Sequence, residues 1–146
     1  MSRIRITKEF NFEMAHALHN YDGLCKNIHG HSYKLYVTIF GEPIDEKNNP
    51  KNGMVMDFGQ LKKIVNQEIV KPLDHALVIF EQDDRIEEMK KIFDNVLPTP
   101  YQPTCENLVA EFAEKINKKL SDDLKVYSIR LYETATSYAE WFASDN

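Results

Sequence analysis

The chain has 146 residues, with 18 basic against 23 acidic side chains, a formal charge of −5 and 42% hydrophobic residues. That is enough for a single domain with its own core, residues 1–146, and too little for an eight-fold β/α barrel, which needs about 250 residues. The acidic balance argues against a nucleic-acid-coating protein, and two cysteines against five histidines leave any zinc site to histidine.

Ile4, Ile6, Phe10, Phe12 and Met14 are apolar at even positions, while Arg3, Arg5, Thr7, Glu9, Asn11 and Glu13 fill the odd ones. Period two over that length predicts a half-buried strand. Tyr33, Leu35, Val37 and Ile39 alternate in the same way, up to Gly41. The polar stretch from Glu42 to Asn52 carries Pro43 and Pro50 and reads as loop. Phe58, Leu61, Ile64, Val65 and Ile69 have helical spacing, with Asp57 as N-cap and Pro72 as the stop. Asp83 to Asp94 reads as a short charged helix, and Pro98, Pro100 and Pro103 mark a break. Thr104 caps a second long helix with Leu108, Val109, Phe112, Ile116 and Leu120 on one face, and Glu106 in its first turn suits the helix dipole. Tyr127, Ile129 and Leu131 alternate again, and Tyr138 to Phe142 reads as a last strand. The expected fold is α+β, in the order β-β-α-α-β-β, with helices on one face of an antiparallel sheet. No run of 18 apolar residues and no leader-like apolar region stands out, so no membrane span and a cytoplasmic location are expected.

His29-Gly30-His31 opens the second strand, and residues two apart on a strand share a face, about 6.6 Å apart. His16 extends the inward row of the first strand, so His16, His29 and His31 are expected to meet at one end of a buried face. Three neutral imidazoles with an open position are the ligand set of catalytic zinc. His19 reads instead as an ordinary polar residue, and Cys105 as helix filling. Cys25 stands four residues before His29 in a long loop, where a nearby zinc ion or Lys26 would favour its thiolate, although a loop cysteine is more often incidental. For Asp74-His75, spacing leaves two readings open: a carboxylate orienting an imidazole for acid/base work, or a polar turn. Glu133 continues the inward row of its strand and needs a partner, either a guanidine-like N–H edge or a local lysine or arginine.

These residues occur in a set order: His16 after Phe12, Cys25-x-x-x-His29-Gly30-His31, Gly53-Met54-Val55-Met56-Asp57-Phe58, Leu73-Asp74-His75, Pro103-Thr104-x-Glu106-Asn107 and Glu133-Thr134. The order resembles the 6-pyruvoyl-tetrahydropterin synthase superfamily, from about Glu9 to Glu140. The short spacing from Cys25 to the His-Gly-His motif, and the ending Glu133 to Glu140, are similar to its 6-carboxy-tetrahydropterin synthase branch, which serves queuosine synthesis. Two features depart from the pattern: Val78-Ile79 stand where many relatives carry an asparagine, and the segment 81–102 is long.

The resemblance implies a tunnelling fold of four antiparallel strands and two helices, in subunits that close into trimers or hexamers with active sites at their interfaces. It implies a zinc-dependent lyase that converts 7,8-dihydroneopterin triphosphate to 6-carboxy-5,6,7,8-tetrahydropterin, acetaldehyde and triphosphate. By this likeness His16, His29 and His31 hold zinc and Cys25 takes a proton. Asp74 and His75 relay protons, and Glu133, helped by Thr104 and Glu106, anchors the pterin. A 6-pyruvoyl product without side-chain cleavage, and a zinc-dependent pterin-binding module without turnover, stay open as alternatives.

Overall fold

In the computed structural model, which describes residues 2–146, the N-terminal alternation forms strand β1 (Ile4–Ala17). Phe10, Phe12 and Met14 are buried at its even positions. β1 pairs antiparallel with β2 (His29–Gly41), with Phe10 opposite Leu35 and Phe12 opposite Tyr33. Phe12 stacks on Tyr33 with ring centroids 5.2 Å apart.

Helix α1 (Phe58–Val65) starts where the Asp57 carboxylate accepts the Gly59 N–H. Pro72 does not stop this rod. It continues through a π turn (Asn66–Val70) into a last turn, α2 (Lys71–Leu73). A proline has no N–H and crowds the carbonyl four residues back, and a wider turn absorbs both effects.

The expected four antiparallel strands with two helices on one face need correction. The sheet has six strands in the order β4-β3-β1-β2-β5-β6, and β3 runs parallel to both β1 and β4. The added strands are β3 (Ala76–Phe80) and β4 (Val96–Thr99). Ala76-Leu77-Val78-Ile79 is apolar without alternation because both of its faces are covered. Ala76 and Val78 join the main core, whereas Leu77 and Ile79 pack on the other face with Ala17 and Met89. Met89 belongs to α3 (Ile86–Ile92), the short charged helix, which therefore lies on the opposite face from the others. Pro98 is tolerated in β4 because that strand is an edge.

Helix α4 (Cys105–Asn117) begins as expected, with the Thr104 hydroxyl accepting the Asn107 N–H. It buries Cys105, Leu108, Val109, Phe112 and Ile116 against the sheet. The Cys105 thiol donates to the Leu131 carbonyl, and burial raises its pKa to about 11, which suits a core residue. β5 (Lys125–Thr134) and β6 (Ser137–Phe142) complete the sheet. The β2–β5 register slips between Thr38 and Ile39, whose partners are Ser128 and Val126. Val126 therefore takes the buried position and Tyr127 turns outward against Phe40 and Arg5, contrary to simple alternation. Beyond the slip, Ile129, Leu131 and Glu133 keep their expected parity.

Phe112 is 1% exposed and meets Phe12 edge-on. Phe112→Ala is expected to cost about 3–5 kcal/mol, as large-to-small changes in packed cores do, read as a lower urea midpoint with unchanged slope.

Candidate metal centre and active site

The β1–β2 register sets His16 directly opposite His29, with His31 two residues along on the same face. The three rings lie 4.5 to 5.2 Å apart between centroids. One nitrogen from each ring falls within 4.8 Å of the others. His16 Nε2 and His29 Nε2 are 2.9 Å apart.

Two backbone carbonyls decide what these nitrogens can do. His16 Nδ1–H donates to the Pro103 carbonyl at 2.7 Å, and His29 Nδ1–H donates to the Asn27 carbonyl at 2.8 Å. A carbonyl only accepts, so each neutral ring keeps its proton on Nδ1 and turns a bare lone pair inward on Nε2. His31 Nε2 is buried without a hydrogen bond, and burial lowers the pKa of this ring, which favours the uncharged imidazole. Glu133 Oε1 then stands 3.2 Å from both His16 Nε2 and His31 Nε2. The bare lone pairs of His16 and His29, the uncharged His31 ring and a carboxylate thus gather in one spot. A divalent cation that takes imidazole nitrogen at about 2.0–2.1 Å fits this set.

Of the two partners that spacing offered Glu133, the local basic side chain is not found. No lysine or arginine pairs with it among the described residues; the histidines do.

Asp74 and His75 sit at the turn from α2 into β3. They are both a polar turn and an oriented pair, because His75 Nδ1 lies 3.0 Å from Asp74 Oδ2. Asp74 Oδ1 accepts the Glu13 N–H at 2.8 Å and the His75 N–H donates to the Glu13 carbonyl at 2.6 Å. The bond from Glu13 is the main reason the Asp74 carboxyl titrates below its ordinary value. His75 pays for this docking with a left-handed backbone, φ 62°, a strained conformation for a non-glycine residue. Its ring stays 78% exposed. A cavity of about 600 Å³ is lined by both His31 and His75, with Gly30, Ala76, Leu77 and Phe93.

Cys25 is a free thiol, half-buried in a single 3-10 turn (Leu24–Lys26). Its sulfur makes no hydrogen bond among the described residues, and it does not line the cavity shared by His31 and His75. Thr104 and Glu106 occupy the start of α4, one and three residues beyond the carbonyl that holds His16. Their side chains do not touch the histidines; the Thr104 hydroxyl is engaged as the helix cap. The carbonyls of Pro103 and Asn27 were not legible in sequence, since every residue has one. The bonds that Asp74 and His75 each make to Glu13 likewise have no sequence signal.

The match to the 6-pyruvoyl tetrahydropterin synthase family model spans residues 5–144. The chain belongs to that family. A Haemophilus influenzae protein named 6-carboxy-5,6,7,8-tetrahydropterin synthase is 38% identical over 141 residues, covering 94% of this chain and 97% of its own. A Rickettsia conorii protein of the same name is 31% identical, over 94% of this chain and 99% of its own. The structure of the Caenorhabditis elegans 6-pyruvoyl tetrahydropterin synthase superposes with a TM-score of 0.69 at 25% identity, covering 98% of this chain and 97% of that one. The fold is thus that of a tetrahydropterin synthase, and none of its helices is long and apolar enough to cross a membrane.

If the three histidines hold a metal, removing one ring should release it. His29→Ala and His31→Ala, each equilibrated with zinc and dialysed, are expected to hold a small fraction of the metal per subunit held by the unmodified protein. Full occupancy in both would reject the centre.

Proposed function

We propose that the chain is a 6-carboxy-5,6,7,8-tetrahydropterin synthase. It takes 7,8-dihydroneopterin triphosphate and, with one water consumed to balance the atoms, yields 6-carboxy-5,6,7,8-tetrahydropterin, acetaldehyde and triphosphate. The reading is carried by the convergence of His16, His29 and His31 nitrogens beside Glu133. The curated relatives of that name, similar along nearly the whole chain, support it.

His16, His29 and His31 would hold zinc, which supplies Lewis acidity toward substrate oxygens. The carbonyls of Pro103 and Asn27 keep the lone pairs of His16 and His29 turned to that point. With their protons on Nδ1, the rings of His16 and His29 offer Glu133 no N–H. Its carboxylate is then free to accept from the paired N–H groups of a pterin edge. Thr104 and Glu106, at the start of α4, are placed to add to that contact. Cys25, as thiolate, takes the proton from the side-chain carbon beside an oxygen. His75, its tautomer held by Asp74, returns protons from the other side. The strained backbone of His75, its bond to the Glu13 carbonyl and the bond of Asp74 to the Glu13 N–H fix that ring's origin at the cost of local stability.

A homo-oligomer, trimer or hexamer, with active sites completed between subunits, accounts for the remaining geometry. Cys25 is not among the residues that line the cavity shared by His31 and His75. β4 and β6 each have one unpaired edge, which such an assembly would cover. Protein–protein closure of this kind has no use for nucleic acid or membrane, and a cytoplasmic home fits the reduced thiols.

Acetaldehyde released in step with triphosphate is the decisive observation. Triphosphate without acetaldehyde would instead assign a 6-pyruvoyl product. Cys25→Ala is expected to keep its zinc and lower turnover by about 10²-fold or more, the scale of a single acid/base group. Undiminished turnover would reject the base assignment.

A further inference from the structure

The loop between β1 and β2, residues 18–28, carries Cys25 but has little to hold it. Its one element is the three-residue 3-10 turn, none of whose residues is buried. Its apolar side chains face solvent: Leu24 is 86% exposed, Tyr21 46% and Ile28 44%. Fixing a backbone costs about 1–2 kcal/mol per residue in entropy, so an ordered loop without apolar anchors depends on its polar ties.

Those ties come largely from the long segment that departs from the family pattern. Asp83 is 1% exposed, and a buried carboxylate must be paired. Arg85 meets it through two parallel bonds, Nε to Oδ1 at 3.0 Å and Nη2 to Oδ2 at 2.7 Å. The Arg85 backbone N–H adds a third, to Oδ1 at 2.9 Å. With the guanidinium so fixed, Nη1 reaches across and donates to the Lys26 carbonyl at 2.6 Å. At the other end of the segment, Gln102 brackets His19: its Nε2 donates to the His19 carbonyl at 2.7 Å, and its Oε1 accepts the His19 N–H at 2.9 Å. The neck of the loop is closed by the Leu18 N–H donating to the Cys25 carbonyl at 2.9 Å. Cys25 thus lies between a carbonyl bonded to Leu18 and a peptide bonded to Arg85.

We propose that Arg85, held rigid by the buried Asp83, is a positioning residue that fixes Cys25 for proton transfer by gripping the Lys26 carbonyl. The proposal rests on the reading of Cys25 as the proton acceptor. It gives the segment 81–102 a function: an internal strap for the loop that bears the base. A lysine cannot substitute, because one ammonium cannot span both Asp83 oxygens and the Lys26 carbonyl in that planar arrangement.

The test uses the zinc-loaded enzyme with Arg85→Ala, Arg85→Lys and Cys25→Ala. Two independent readouts are the exchange of the Leu18 amide, whose partner is the Cys25 carbonyl, and steady-state kinetics with 7,8-dihydroneopterin triphosphate. In both Arg85 variants the Leu18 amide should exchange about 10-fold faster or more, as local opening becomes easier. kcat should fall about 10-fold or more, the scale of a misplaced catalytic group, with KM within about twofold and zinc content unchanged. If Arg85→Ala does not fold, Arg85→Lys, which keeps the charge beside Asp83, carries the test. A lower melting temperature with unchanged kcat would mean a structural role and would overturn the proposal. So would a loss expressed in KM alone. Wild-type turnover in Cys25→Ala rejects the base assignment and the positioning role with it. Impaired Cys25→Ala beside an unaffected Arg85→Lys rejects the positioning role by itself.

Discussion

The antiparallel pairing of β1 with β2 places His16 across from His29 and His31 across from Met14, and the candidate centre exists only in that register. A slip by one residue would turn every side chain of a strand to its other face, sending the imidazoles outward and Phe10, Phe12 and Met14 with them. The same apolar rows that fill the core therefore also hold the histidines together. Folding energy and site geometry are one constraint here, and the site needs no loop to gather its three rings.

What the strands cannot do is choose a tautomer. That choice belongs to two carbonyls outside the strands, Pro103 just ahead of α4 and Asn27 at the end of the β1–β2 loop. Each takes the proton-bearing nitrogen of a ring and leaves the other nitrogen bare. The result is a small volume rich in lone pairs, bordered by the Glu133 carboxylate and by the buried Tyr33 ring. Such a volume is unfavourable when left to itself and favourable around a cation, which is the physical content of a preformed metal centre.

The segment from Ala76 to Gln102 enlarges the framework in a way that bears on the site. β3 and β4 extend the sheet on the side of β1, and α3 seals the face that the other helices leave uncovered. Asp74 and His75, at the head of this segment, dock on Glu13 of β1. Arg85 and Gln102, further along, dock on the β1–β2 loop. This one segment thus reaches both groups proposed for proton transfer, while the three histidines lie on the strands it packs beside.

Sequence alone determined the strands β1, β2 and β5, the capped helices α1 and α4, and the three histidines, because each rests on a local period or a local cap. Asp57 and Thr104 announce their helices through side chains that bond two or three residues away. Alternation in β1 and β2 is enough to put His16, His29 and His31 on one face. The tertiary structure decided what depends on distant neighbours. Ala76 to Phe80 is a strand because both of its faces are covered, and a continuous apolar run carries no period to reveal that. Tyr127 turns outward because a bulge against β2 shifts the register, which alternation within one strand cannot record. The partners of Glu133, the carbonyls that orient His16 and His29, and the grip of Arg85 on Lys26 join residues 59 to 117 positions apart or lie on backbone atoms that every residue shares. Local chemistry named the groups; only long-range packing set which of them face each other.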